Sequence, residues 1–261
     1  MCRIFRDSFL SRYGLLVFLT GSHRQSGDSW FVGCLDRVRK GEVTDGDLLV
    51  LNATSEGVTA AEWDNRTQLR ALNQHVNAFN EDKLSRLPGA KFVYKCRDEI
   101  NSNLTHPARR AFAERAVQEV APAAVVLKPG AVVLSTREVD GVATSSQGVV
   151  KECRGSSVVC EFFGRMVVVE VAAFDVIDNC GARLATRHSI PLTLAWSMTM
   201  YRAQGASLST LALDFCELNW RLEGLVYSGL SRRRYLDGLL VRGLRREHIV
   251  VDRDAMQFYA T

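Results

Sequence analysis

The stretch QGVVKECRGSSVVCEFFGRMVVVEVAAF spans residues 147–174 and decides how the chain divides. Val crowds each run, and Gly155 and Gly164 separate the runs. β-Branched side chains suit a pleated, half-buried surface, and Gly at such spacing marks tight turns between short strands. AVVLSTREVDG, Ala131 to Gly141, has the same texture just upstream. Four β-rich runs in succession read as a small antiparallel barrel.

The texture changes on both sides of that barrel. Upstream, Leu15 to Leu19 is a short apolar run that suits a buried strand. DSWFVGCLDRVRKG places Trp30, Phe31, Cys34, Leu35 and Val38 at helical spacing in the core. Asp28 caps the start of that helix and Gly41 its end. QHVNAFNEDKLSRLPG sets Val76, Phe79, Leu84 and Leu87 on one helix face, stopped by Pro88-Gly89. A third helix starts at about Arg109. Downstream, LALDF (Leu211 to Phe215) and GLLVRGL (Gly238 to Leu244) read as strands, with a helix in EGLVYSGLS between them. AWSMTMYRAQGASL, Ala195 to Leu208, reads as a buried helix that ends in a polar hook. The order is α/β, a β insert, then α/β again. No Pro-rich linker flanks the insert, which therefore reads as a domain grown out of a loop.

Composition bounds the function. The chain has 261 residues, 47% hydrophobic and 24% charged, as in a soluble globular protein of one large or two smaller domains. A net charge of +4 is compatible with a polyanionic partner. No run of about 18 apolar residues predicts a membrane span. The seven Cys form no C-x-x-C, and no His sits at ligand spacing, so reduced core thiols and no metal site are expected. Asp98-Glu99 lacks the apolar strand that precedes a Mg²⁺-holding acid pair. Lys128, Arg137 and Lys151 either line a DNA path on the barrel or form a solvated exterior.

Two blocks carry a more specific signal. SIPLTLAWSMTMYRAQGASLSTLALDF and LEGLVYSGLSRRRYLDGLLVRGL resemble the last two signature blocks of the Pif family of superfamily-1 DNA helicases. The family patterns are P-L-x-L-A-W-A-x-T-I-H-K-x-Q-G-x-T-L and G-x-x-Y-V-A-L-S-R. Pro191, Leu192, Leu194, Ala195, Trp196, Thr199, Gln204, Gly205 and Leu208 match the first. Gly224, Tyr227, Leu230, Ser231 and Arg232 match the second. Upstream, LTGSHRQ is similar to the family's L-x-x-x-x-R-Q block, LNQHVNAFN to its T-N-x-x-V-D-x-x-N segment, and LKPGAVVLSTREVDG to the segment that opens its SH3-like insertion.

The resemblance implies a RecA-like parallel-sheet lobe, residues 1–122 and 183–261, interrupted by an SH3-like β-barrel at 123–182. It implies ATP and Mg²⁺ as cofactors, with Arg24 and Arg232 as catalytic cations against the γ-phosphate. It places Gln25, Gln204 and Gly205 at the nucleotide and Thr199, Tyr201 and Arg202 on DNA. Single strands and DNA junctions are the implied partners, with 5′ to 3′ movement and a place in the nucleus or mitochondrion. The chain contains no G-x-x-x-x-G-K-[ST] phosphate loop. The expectation is therefore the C-terminal motor lobe of an ATP-dependent DNA helicase, inactive without its N-terminal RecA-like lobe, which would hold most of the ATP and Mg²⁺. The alternative is a truncated, non-catalytic relic that binds nucleic acid or partners. Tyr201-Arg202 stands where the family has His-Lys, and Gly229 where it has Ala.

Overall fold

The computed structural model describes residues 27–70, 72–216 and 222–260. In chain order the first helices are α1 (Ser29–Lys40), α2 (Asp45–Ala53) and α3 (Ala60–Asp64), followed by β1 (Thr67–Arg70) and α4 (Asn73–Arg86). Next come β2 (Phe92–Lys95), β3 (Arg97–Ile100), α5 (Pro107–Val120), β4 (Ala124–Leu127) and β5 (Val132–Ser135). The Val-rich stretch supplies β6 (Gln147–Cys153), β7 (Ser157–Phe162), β8 (Arg165–Glu170) and β9 (Ala172–Ile177). β10 (Arg183–Ser189), β11 (Leu192–Leu194), β12 (Ser197–Thr199) and β13 (Leu211–Asp214) follow, then α6 (Leu225–Leu230), β14 (Leu239–Arg242) and α7 (Arg253–Ala260).

The chain forms two compact units, residues 1–73 with 198–261 and residues 74–197. The first holds a four-stranded sheet in the order β12-β1-β13-β14, with β1, β13 and β14 parallel. Parallel strands need both faces covered, which is why LALD and LLVR are nearly continuous apolar runs. α1 follows from its sequence: Phe31, Cys34, Leu35 and Val38 are buried at i, i+3, i+4 and i+7. Asp28 accepts from the Phe31 N–H at its start, and Gly41 closes its end at φ +77. Trp30, expected in the core, is 38% exposed; it falls on the flank of the face that those four residues set. The expected strand at Leu15 to Leu19 lies outside the described residues.

The second unit contains a five-stranded antiparallel sheet, β11-β5-β6-β7-β8. Its Val150, Val158, Cys160, Phe162, Val167 and Val169 share one apolar core with Leu127 and Leu192. Burial alternates along β8: Val167 and Val169 point inward, Met166 and Val168 outward. A three-stranded sheet, β3-β10-β9, packs α5 over a smaller core of Ala113, Val117, Val176, Leu184 and Ala185. Arg187 is 1% exposed there. Its guanidinium meets both Asp98 oxygens at 2.6 and 2.7 Å, Gln118 Oε1 at 2.8 Å and the Ala121 carbonyl at 2.6 Å. Asp98 is thus a structural counter-ion, held below the usual carboxylate range by Arg187 against the opposing effect of burial.

The three basic residues read as either a DNA path or a solvated exterior each have a partner within the chain. Lys128 is buried, and its Nζ donates to the carbonyls of Leu87 at 2.5 Å and Ser85 at 3.4 Å. It caps the carboxyl end of α4, where carbonyls lack helical partners and positive charge is favoured. Lys151 pairs with Glu161 at 2.5 Å, and the Arg137 guanidinium lies 5.2 Å from the centre of the Phe174 ring.

Candidate functional site

The block Ala195 to Leu208 is not a helix. β12 ends at Thr199, and a chain of turns follows through Gly205. Short apolar runs do not by themselves distinguish strand from helix, and here the run is the end of a sheet. Thr199 organises the first turn: its hydroxyl accepts from the Arg202 N–H at 3.3 Å and its carbonyl from the Ala203 N–H at 3.0 Å. The Gln204 N–H reaches the Tyr201 carbonyl at 3.2 Å, and the Ala206 N–H the Ala203 carbonyl at 3.0 Å. Gly205, at φ +83, takes a left-handed conformation that a side chain would oppose. Tyr201 is 68% exposed, and Arg202, Gln204 and Gly205 are exposed beside it, while Ala203 and Ala206 face inward.

α6 brings the second block to the same turn. It starts after Gly224, in the left-handed region at φ +68, and buries Leu225, Val226, Gly229 and Leu230. At Gly229 the tip of Met200 occupies the space that a Cβ would need. Two of the departures from the family pattern, Met200 for Ile and Gly229 for Ala, therefore lie against one another. Past α6, Arg232 leans over the turn. Its Nη1 donates to the Ala203 carbonyl at 3.2 Å, its Nε to the Ser228 carbonyl at 2.8 Å and its Nη2 to Ser231 Oγ at 2.9 Å. The Arg232 carbonyl in turn accepts from the Leu208 N–H at 3.1 Å. The loop carrying Gln204-Gly205 and the loop carrying Arg232 are thus sewn together by side chain and backbone.

The three consecutive arginines do not form one solvated face. Arg232 is half-buried, Arg233 is buried and Arg234 is exposed. Arg233 donates to the carbonyls of Leu208 at 2.7 Å, Ser209 and Asp237. Burial lowers its pKa, and Asp237 opposes that. Gly238 leaves the room, since a Cβ there would lie 2.8 Å from Arg233 Nη2. Asn80, the last residue of the LNQHVNAFN segment, was given no role of its own. Buried in α4, it donates to the Ser197 carbonyl at 2.9 Å and accepts from the Ser197 N–H at 2.8 Å. A signal was present: Asn80 stands at the centre of the Val76, Asn80, Leu84 row, where an amide needs a reason to be buried. Trp196 is partly buried against the core of its unit, which is a packing role. Arg24 and Gln25 lie outside the described residues.

No family model matches the chain. Among characterised proteins, it is 29% identical over 256 residues to the human ATP-dependent DNA helicase PIF1 and 30% identical over 253 residues to the ATP-dependent DNA helicase Pif1 of Bdellovibrio bacteriovorus. These alignments cover 93% and 94% of this chain. The crystal structure of Pif1 helicase from Candida albicans superposes with a TM-score of 0.71 at 26% identity, over 92% of this chain. The chain belongs to the Pif family. It spans 37% of the human relative's length, 54% of the Bdellovibrio relative and 59% of the Candida chain. Its α/β unit has a RecA-like fold, similar to that of the superposed Pif1 structure.

Proposed function

We propose that this chain is the second motor lobe of an ATP-dependent DNA helicase, with its five-stranded sheet as an SH3-like insertion. Arg232 acts on the γ-phosphate, Gln204 and Gly205 line the nucleotide edge, and Thr199, Tyr201 and Arg202 meet single-stranded DNA. The observation that supports this most directly is the seam between two loops. Arg232 rests on the Ala203 carbonyl, one residue from Gln204, so a phosphate contact and a nucleotide-edge contact move as one body.

ATP supplies the phosphoryl group whose transfer to water drives such motors; Mg²⁺ neutralises charge on its phosphates. The residues of this chain fit the outer rim of that site. Guanidinium presents five N–H donors in a planar fork that matches phosphate oxygens. In the present state three of its donations go to Ala203, Ser228 and Ser231. Lobe closure would exchange neutral carbonyl acceptors for charged phosphate oxygens, a stronger hydrogen bond. The sequence contains no G-x-x-x-x-G-K-[ST] phosphate loop, so a companion lobe would hold the rest of the nucleotide. On the DNA side, the exposed Tyr201 ring offers a stacking face and Arg202 a phosphate contact. A 5′ to 3′ polarity is carried over from the family.

The test joins this chain to a lobe bearing a phosphate loop and replaces Arg232 with Ala. DNA-stimulated ATPase should fall by about 10³–10⁵, as for arginine fingers generally, while nucleotide affinity changes far less. Arg232→Lys should recover only part of the rate. Undiminished ATPase in Arg232→Ala would remove the finger role. Salt-sensitive DNA binding with no ATPase in the joined protein would favour a non-catalytic module instead.

A further inference from the structure

β1, β13 and β14 run parallel and end at Arg70, Asp214 and Arg242. Open α/β sheets bind ligands outside the carboxyl ends of their strands. A cavity of about 170 Å³ lies there, bordered by Trp63, Asp64, Gln68, Arg70, Asp214 and Arg242. It shares no residue with the Arg232 seam. That seam precedes the amino end of β13, and the four residues of the strand, roughly 13 Å at about 3.3 Å each, separate the two.

The cavity walls are planar and polar. The Arg242 guanidinium lies 4.5 Å from the centre of the Trp63 ring, and both its Nε, at 3.2 Å, and its Nη2 donate to Asp214 Oδ2. On the other wall, Arg70 Nη2 donates to Gln68 Oε1 at 2.7 Å, and Gln68 Nε2 reaches Asp64 Oδ1 at 3.5 Å. Gln68 is 6% exposed, so its amide is fixed rather than waving in solvent. A second hollow, of about 280 Å³, borders Trp63, Asp64 and Arg242 as well. The Trp63–Arg242 stack thus borders both hollows. Each is below the roughly 300 Å³ at which pockets take drug-sized ligands, and each suits a single ring system. Two arginines stand with two carboxylates, so the walls carry no net charge and do not select an anion. They offer stacking planes, donors and acceptors together, the recognition set of a heteroaromatic base.

We propose that the hollow at Trp63 and Arg242 is a nucleobase site, filled by a base of the single strand that the lobe binds. Stacking on the Trp63–Arg242 pair supplies affinity, and the Asp64–Gln68–Arg70 wall meets the edge of the base. The inference rests on the DNA-binding reading above but adds a contact that involves no phosphate.

The experiment uses the full chain, oligodeoxythymidylate with one central 2-aminopurine, and 2-aminopurine nucleoside alone. Stacking quenches 2-aminopurine. Wild type should quench the oligonucleotide on binding. Trp63→Ala should weaken that binding roughly 5- to 160-fold, the range for one base on an aromatic ring. Trp63→Phe should retain most of it, and circular dichroism checks that both fold. The slope of log K against log salt should stay unchanged in both Trp63 variants, whereas Arg202→Ala should reduce it by about one. Trp63-dependent quenching of the free nucleoside also supports the site and identifies the free compound as a second source of its ligand. If Arg202→Ala behaves as stated but Trp63→Ala binds and quenches like wild type, the base site is overturned and the DNA reading survives. If wild type binds the oligonucleotide but quenches neither probe, the base site is overturned and the DNA reading survives; if it does not bind the oligonucleotide at all, both fall.

Discussion

Asp47 shows how one carboxylate can hold several elements at once. It is 2% exposed, bonds Arg37 through two contacts at 2.8 and 2.5 Å, and closes the capping box of α2 with the Thr44 N–H at 2.9 Å. Arg37 holds its carboxyl well below the usual range; burial opposes this, and the Thr44 donors assist. A carboxylate with a depressed folded pKa stabilises the protein above its unfolded value, about 3.9, and loses that contribution as pH falls toward the folded value. The acid limb of stability below about pH 4 should therefore be shallower in Asp47→Asn than in wild type, as urea titrations at stepped pH would measure. At pH 7 the same change should cost about 2 kcal/mol, since a cap and a charged hydrogen bond weaken together. Equal acid limbs would mean that other carboxylates govern acid unfolding. Met200 and Gly229 make a second argument at this scale. Gly229→Ala sets a methyl against Met200 Cε, the tip of a flexible side chain that can swing aside, and should cost less than about 1 kcal/mol. In Met200→Ala the same methyl enters vacated space, so the double variant should be more stable than the sum of the single changes. A double-mutant cycle by thermal denaturation reads the coupling directly.

At the scale of elements, the β7–β8 hairpin carries an avoidable cost. Phe162 pairs with Arg165, so Phe163 and Gly164 are its two-residue loop, at φ +51 and +80. Turns of this kind favour Asn-Gly, because both residues need positive φ. Phe163 is 83% exposed, gaining little burial to offset a left-handed backbone that costs roughly 1–2 kcal/mol for an ordinary residue. Phe163→Asn should raise stability by about 1 kcal/mol, visible as a higher Tm with an unchanged urea m-value. A fall in Tm would mean that the ring packs in a way its exposure does not reveal. The same hairpin shows what is legible in sequence. Val at alternate positions and Gly at the turns marked β5 to β8, and Asp28 and Gly41 marked both ends of α1. Ala195 to Leu208 was illegible because its apolar residues do not distinguish the end of a sheet from a helix. The Arg232 seam was half legible: the two blocks stand out, but their hydrogen bonds join residues 29 apart. Arg233 was hidden by its neighbours, since a run of like charges ordinarily reads as solvent-facing.

For the whole molecule, the division into two units makes an argument about folding. Residues 74–197 are continuous in sequence, and both apolar clusters built from Leu84 through Trp196 lie within them. Three of their buried polar side chains also find partners within the segment: Asn80 bonds Ser197, Lys128 caps α4, and Arg187 meets Asp98, Gln118 and Ala121. A segment that owns its core and its polar partners should fold alone. Residues 74–197, expressed by themselves, should therefore unfold in one cooperative urea transition, with Val150, Val158 and Val169 amides protected from exchange. Arg187→Ala in that fragment should cost about 3 kcal/mol, because it empties a buried site and leaves the Ala121 carbonyl and Gln118 without their donor. The RecA-like unit is built from two separated segments, residues 1–73 and 198–261, so its folding waits on closure of the loop between them. A fragment of 74–197 that remained disordered would place the source of its stability outside its own core, and the loop-closure order would then reverse.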